Sequence, residues 1–178
     1  MAKPDHRAVY EDLLRRYARP LQRLAWSYEH NPGARDDLFQ EIAMALWTAL
    51  PRFRGESSER TWVYRIAHNT SISFAASRRR RDGREQTGEP GREPTSAAPQ
   101  EANAIERQQR DLLWAALQEL PLSERQIIVL HLEGLSAADI EAITGVSAGA
   151  VATRLTRIRQ KLAARLRVDE PVGEEQRS

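Results

Sequence analysis

Arg154, Arg157, Lys161 and Arg165 recur at steps of three or four residues, and no acid lies between Glu141 and Asp169 to neutralise them. Cations at that spacing share one face of a helix, and their chemistry is anion recognition. A guanidinium presents a planar fork that fits phosphate oxygens or the O6/N7 edge of guanine. Val151, Leu155, Ile158, Leu162 and Leu166 repeat at the same steps and form a second, apolar stripe. An ordinary amphipathic surface helix would also show both stripes, so the elements that position the helix decide between the two readings.

A short helical pattern precedes it. Ser136 is a good N-cap, with Asp139 three residues later able to reach back as the acid of a capping box does. Ile140 and Ile143 supply an apolar face, Gly145 stands where a helix end needs positive φ, and Ser147 can cap the next helix at once. Two helices joined by so tight a turn, the second carrying a basic stripe, form the helix-turn-helix pattern whose second helix enters the major groove of DNA.

Other chemistry finds little support. His6, His30, His68 and His131 show no ligand spacing, and there is no Gly-rich phosphate loop and no HExxH. His131-Leu132-Glu133 resembles the start of a deaminase signature but lacks the cysteines that signature needs. The chain has no cysteine at all, which excludes disulfides and thiolate metal sites. No enzyme activity, cofactor, metal or small-molecule substrate is expected. The 178 residues suffice for one domain or two small ones. With 27 basic and 25 acidic residues the net charge is only +2, so distribution matters more than balance. Positive charge gathers in Arg78-Arg79-Arg80-Arg81 and in the last helix. The first residues are too charged for a signal peptide, and no run approaches the roughly 20 apolar residues of a membrane span. A soluble, cytoplasmic protein without membrane insertion is the expectation.

In chain order, Val9, Leu13, Leu14, Tyr17, Leu21, Leu24 and Ala25 follow helical spacing, with Pro20 bending or restarting the helix. Asn31-Pro32-Gly33 is a break. From Arg35 a second helix turns Leu38, Phe39, Ile42, Leu46 and Leu50 inward, leaving Asp37, Glu41, Met44 and Thr48 outward with Gln40 and Trp47 at the margin. That face suits a protein partner better than DNA. Alternatively the acids only solvate the helix and favour its N-terminal end, and composition alone favours this second reading. Pro51 to Glu59 reads as a loop bent at Gly55. A third helix follows from Thr61, with Trp62, Val63, Ile66 and Phe74 on one side, Thr61, Arg65 and His68 on another, and the arginine cluster at its end. Residues 82–103 are nearly devoid of apolar side chains and read as a flexible linker. Beyond it Ile105 to Leu120 form a helix ending before Pro121. Ser123 to Gln126 read as a capping box opening another with Ile127, Ile128, Leu130 and Leu132. The fold class is all-α: two small helical domains joined by a flexible linker, the second a helix-turn-helix domain.

With both halves in view, DDLFQEIAMALW, FRGESSERTWVYRIAHN and, after the linker, LPLSERQIIVLHLEGLSAADIEAITGVSAGAVATRLTRIRQKL together resemble the extracytoplasmic-function group of bacterial RNA polymerase sigma factors. The resemblance covers residues 8–81 and 104–168. It implies an N-terminal domain, 1–81, that binds the clamp coiled coil of the polymerase β′ subunit and opens the downstream promoter element. After the linker, 82–103, it implies a C-terminal domain, 104–168, that reads the upstream element as duplex beside the β flap, and then a disordered tail, 169–178. It implies promoter DNA, polymerase core and an anti-sigma factor as partners.

Residue by residue, the resemblance places core binding on Asp37, Gln40, Glu41 and Met44. Base capture and melting fall on Arg54, Gly55, Glu56, Ser57 and Ser58, with Trp62, Arg65, His68, Asn69, Arg78, Arg79 and Arg80 along the helix that follows. Upstream recognition falls on Ser147, Ala148, Ala152, Thr153, Arg154, Arg157 and Lys161. Two departures stand out: Glu59-Arg60 replaces an apolar or aromatic pair common before the Thr-Trp, and Ala152-Thr153 replaces Lys-Ser. The alternative function is a stand-alone helix-turn-helix regulator, which would need a dimerisation or ligand-binding module in the N-terminal half.

Overall fold

A computed structural model describes residues 5–29, 31–82 and 104–168. Among them the secondary structure is entirely helical: α1 His6–Tyr28, α2 Pro32–Ala49, a 3-10 turn Leu50–Arg52, α3 Glu59–Asp82, α4 Ala104–Gln118, α5 Leu122–Leu132, α6 Ala137–Thr144 and α7 Ala148–Val168.

The first three helices start from local signals. The Asp5 carboxylate accepts from the Arg7 amide at 3.1 Å and opens α1. Of the two outcomes expected at Pro20, a restart does not occur: α1 runs through it as one helix. A proline removes one amide donor from a helix, and Leu21, Leu24, Ala25 and Tyr28, all buried just beyond it, hold the last turns in place. The expected break at Asn31-Pro32-Gly33 is also the start of α2: Asn31 Oδ1 caps the helix by accepting from the Ala34 amide at 3.1 Å, and Pro32 takes the first helical position. The apolar face of α2 is then Ala34, Leu38, Ile42 and Leu46, and that of α3 is Val63, Tyr64 and Ala67.

In the second half the expected capping box at Ser123 is absent. Pro121 occupies the cap position without a side-chain bond, and its carbonyl accepts from the amides of Glu124 and Arg125 at 2.9 and 3.0 Å. Arg125, within that expected box, is only 7% exposed and donates to Gln118 Oε1 at 2.6 Å. Leu132 also departs from its expected inward position, at 55% exposed on the last turn of α5. The α6 cap does form: Ser136 Oγ accepts from the Asp139 amide and Asp139 Oδ2 accepts from the Ser136 amide, both at 3.1 Å. Gly145 ends α6 at φ 75°, with its amide on the Glu141 carbonyl at 2.8 Å. The Glu141 side chain spans the turn to accept from the Ala148 amide at 2.9 Å, and Ser147 Oγ takes the Ala150 amide at 3.4 Å. The apolar stripe of α7 is buried at Val151, Leu155, Ile158 and Leu162.

The buried residues of α1 to α3 and of α4 to α7 form one continuous cluster rather than two separate cores. Helix α1 packs on α5 and α3 on α6. Trp26 and Trp114 meet edge to face, their centroids 4.4 Å apart. The expected linker and tail lie outside the described residues, apart from Asp82 at the end of α3.

The two glycines around the turn predict opposite outcomes. Gly145→Ala forces a Cβ into the left-handed region and should cost about 1–2 kcal/mol. Gly149→Ala lies in helical backbone with nothing near the added Cβ and should gain up to about 1 kcal/mol. Urea unfolding of each full-length variant reads both signs.

Candidate nucleic-acid interface

Helix α7 presents its basic stripe unevenly. Ala152, Thr153, Arg154 and Arg157 are exposed on the face opposite the core, Ser147 is exposed at the turn, and Ala148 is half-buried. Thr153 donates its hydroxyl proton to the Gly149 carbonyl at 3.0 Å, leaving its oxygen to accept. Arg154 and Arg157 make no ion pair among the described residues, whereas Lys161 sits on both Glu124 oxygens at 2.8 Å and Arg165 pairs with Glu119. The expected continuous cationic face is thus free at its N-terminal half and neutralised at its C-terminal half. Lys161, expected to face DNA, is turned toward α5 instead.

The loop before α3 is held at its ends and open between. Phe53 tilts against Trp62, centroids 4.8 Å apart, and Ser58 Oγ caps α3 by accepting from the Thr61 amide at 3.0 Å. Between them Arg54, Gly55 and Glu56 are exposed, Gly55 has φ 73°, and Ser57 is half-buried. Further along α3, Asn69, Arg79 and Arg80 are exposed, while Arg78 is half-buried and pairs with Glu29 at 3.3 Å. Arg65 is half-buried, and its Nε has no hydrogen-bond partner among the described residues.

His68 is corrected outright. The spacing sets it beside Thr61 and Arg65 and the resemblance assigns it to DNA, but it is 3% exposed and its Nδ1 is bonded to the buried Tyr28 hydroxyl. Helical spacing put it one step from an exposed face, and tight packing of α3 on α1 took it inside. Tyr64 is also core: burial, then the neighbouring Glu133 carboxylate, raises its pKa above the usual phenol value. Thr61 is buried as well, and its hydroxyl donates to Asp139 at 2.8 Å. Bonds from Ser136 and then Thr61 hold the Asp139 carboxyl below its usual range.

On α2, Asp37, Gln40 and Glu41 are exposed and Met44 is 70% exposed. Neither acid forms an ion pair among the described residues. Trp47 closes one margin under the rings of His6 and Tyr10, at centroid distances of 4.2 and 5.0 Å. An exposed apolar side chain beside two acids gives this face a negative, partly apolar character, which would repel a phosphate backbone.

Sequence reasoning missed Glu133. Its carboxylate is 8% exposed and accepts from Arg23 at 2.5 and 2.9 Å and from the Tyr64 hydroxyl at 3.1 Å. These partners lie 110 and 69 residues away, and no local pattern marks them. No cluster of three or more potential metal ligands occurs among the described residues, and none of their helices is long and apolar enough to cross a membrane.

Comparison with known proteins returns the same two halves. Sigma-70 region 2 matches residues 13–81, and sigma-70 region 4 matches residues 110–162. The chain is 31% identical over 162 residues to RNA polymerase sigma factor YlaC of Bacillus subtilis, covering 88% of this chain and 91% of that one. It is 31% identical over 134 residues to the ECF RNA polymerase sigma-E factor of Escherichia coli K12, covering 71% and 70%. Among solved structures, the sigma factor RpoE in complex with the anti-sigma factor NepR from Bartonella quintana superposes with a TM-score of 0.68. That match has 23% identity and covers 90% of this chain and 98% of RpoE. CnrH in complex with the cytosolic domain of CnrY superposes with a TM-score of 0.65 at 24% identity, covering 94% and 92%.

His68 gives a pH prediction. Burial lowers its pKa, so between the folded value and the ordinary value near 6.5 the unfolded chain binds more protons than the folded one. The stability contributed by neutral His68 is fully present above about pH 6.5 and is lost as pH falls through the folded value. The urea midpoint of the wild type should drop between pH 7.5 and pH 5, and His68→Gln should flatten that slope. Asp139 titrates below this window.

Proposed function

The chain belongs to the extracytoplasmic-function group of RNA polymerase sigma factors, and we propose that α2 docks it on polymerase core while its two halves read a two-part promoter. Sigma factors direct transcription initiation; nucleotide addition belongs to the polymerase. The observation that carries the reading is the order of the two matched regions on one chain, joined to a surface whose charges are already sorted: unpaired acids on α2, unpaired arginines on α7.

Asp37, Gln40, Glu41 and Met44 form the core-facing patch, on the β′ clamp coiled coil. Arg54 to Ser58 capture a base of the opened strand. A base taken out of the stack needs backbone and small polar groups to replace its lost pairing, and an exposed loop bent at Gly55 offers both. Trp62, Arg65, Asn69, Arg78, Arg79 and Arg80 follow the adjacent DNA along α3. Ser147, Ala148, Ala152, Thr153, Arg154 and Arg157 enter the upstream major groove, with Arg154 and Arg157 forking onto guanine edges or phosphate, while the β flap of the core supports this half. Lys161 joins them only if its bond to Glu124 is given up. Domain boundaries of 1–81 and 104–168 suit these roles, and the site of action is the cytoplasm. Regulation by an anti-sigma factor is part of the proposal, supported by the likeness in fold to RpoE, whose solved complex contains one.

Two experiments test this reading. Asp37→Arg with Glu41→Arg should abolish binding to purified bacterial polymerase core while leaving helicity unchanged; wild-type affinity in that double variant would remove α2 from the interface. A wild type that ignored core yet bound DNA alone would replace the sigma mechanism with that of a stand-alone regulator. Arg154→Ala in the holoenzyme should weaken upstream-element binding by about 1–3 kcal/mol if the contact is a bidentate base contact. Equal weakening on unrelated DNA would assign Arg154 to phosphate.

A further inference from the structure

Glu59-Arg60 is a departure from the sigma pattern that the proposed function leaves unused, and the structure gives its first member a partner. Arg16 of α1 forks onto the Glu59 carboxylate at the start of α3, Nη1 to Oε1 at 2.5 Å and Nη2 to Oε2 at 3.1 Å. The same guanidinium donates through Nε to Asp12 at 3.0 Å, one turn back on α1, so its orientation is fixed from behind. Beside it, burial and then the Glu59 charge raise the pKa of the Tyr17 phenol. We propose that Arg16 and Glu59 form a brace that positions the loop Arg54–Ser58 for base capture. Arg16 is then a positioning residue for promoter opening, although it lies 43 residues from Glu59 in the chain.

The two ends of the loop are held differently. At its entry Phe53 leans on Trp62, and its amide donates to the Leu50 carbonyl at 3.1 Å. At its exit the Ser58 hydroxyl caps α3, and the Ser58 carbonyl accepts from the Trp62 amide at 3.0 Å. The fork on Glu59, the residue after the exit, ties that end to α1. Two parallel N–H···O bonds fix direction as well as distance, where a single bond would let the chain pivot. Between its ends the loop is largely exposed, so its course follows from how the ends are held. Groups that replace a lost base pair work only if they are already in place when the base leaves the stack. The side chains of Arg16 and Glu59 are 46% and 36% exposed, so the pair adds little to global stability and is open to screening by salt. Its effect is local. A carboxylate in the first turn of α3 also suits the helix dipole, an interaction that Arg16→Gln leaves in place.

The brace itself rests on these contacts alone; its use in opening rests on the sigma reading. The chain has no cysteine, so Glu56→Cys gives a unique spin-label site within the loop of the full-length protein. In the continuous-wave spectrum Arg16→Gln should speed the motion of that label with helicity unchanged. Salt at about 0.5 M should speed it in the otherwise unaltered chain and add nothing in Arg16→Gln. A spectrum indifferent to Arg16→Gln would overturn the brace. For the functional arm, holoenzyme assembled from the unlabelled wild type and purified bacterial core selects promoters from a random duplex library. Permanganate reactivity of unpaired thymines then reads opening on a selected promoter. Arg16→Gln and Glu59→Gln should each lower opening by about fivefold, and the double variant should lose no more than either one, with core affinity unchanged. Additive losses would show that the two side chains do not act through each other. If Arg16 were a phosphate contact instead, Glu59→Gln would free it and raise opening, and that result would also sink the brace. A loosened loop with undiminished opening would remove the brace from base capture and leave the sigma reading intact. Failure of the wild type to bind core would defeat the sigma reading, and the spectrum would still decide the brace.

Discussion

Neither half of this chain is large enough to bury its apolar faces comfortably alone. The fraction of surface removed from water falls with size, and helical units of some 60 to 80 residues keep only marginal cores. The structure answers that constraint by merging them. Leu21 and Leu24 of α1, Tyr64 of α3, Leu117 of α4, Ile127 and Leu130 of α5 and Ile158 of α7 belong to one cluster of buried side chains. Most else follows from that merger: the covered starts of α3 and α6, the carboxylate of Glu133 enclosed in the seam, and the outward placement of whatever the seam does not use.

Charge is sorted accordingly. The basic residues of α7 nearest the rest of the molecule are consumed internally, Lys161 by Glu124 and Arg165 by Glu119, while Arg154 and Arg157 are left for an outside anion. Asp37 and Glu41 of α2 form no ion pair among the described residues, so that face of the helix keeps its negative charge. Exposed pairs such as these add little stability, typically below about 1 kcal/mol. Their consequence here is directional: they decide which end of a basic helix remains available to a phosphate or a guanine.

Much of this was legible in the sequence, and the pattern of what was not is instructive. Period and punctuation located the seven α-helices of the described residues to within a few residues. The Ser136 box, the left-handed Gly145 and the buried stripe of α7 follow from rules that act over three or four residues. Failures came where a local rule met a distant neighbour. Ser123 has the right residues for a box, but Pro121 already holds the cap. His68 has a polar side chain at the edge of a face, but the Tyr28 hydroxyl, forty residues earlier, draws it inward. Glu133 carries no local sign of its role, because its partners are 69 and 110 residues away and nothing nearby announces them. Local chemistry writes the elements; the seam between them depends on pairings that only the folded chain brings together.

The Glu141 carboxylate, reaching across the turn to the Ala148 amide, ties the pitch of α7 to α6 from within the same short unit. The turn between α6 and α7 is therefore braced from within, whereas the joint between the halves combines shared buried apolar side chains with polar contacts between distant segments. Two traits that a promoter demands are thereby assigned to different parts of the molecule. On the proposed reading, discrimination between base pairs would rest on the braced turn and α7, and the placement of the two halves would rest on the joint. Ala152 and Thr153 lie on the exposed face of α7, away from the seam that holds Arg23 and Glu133, so substitutions at one place leave the contacts of the other untouched.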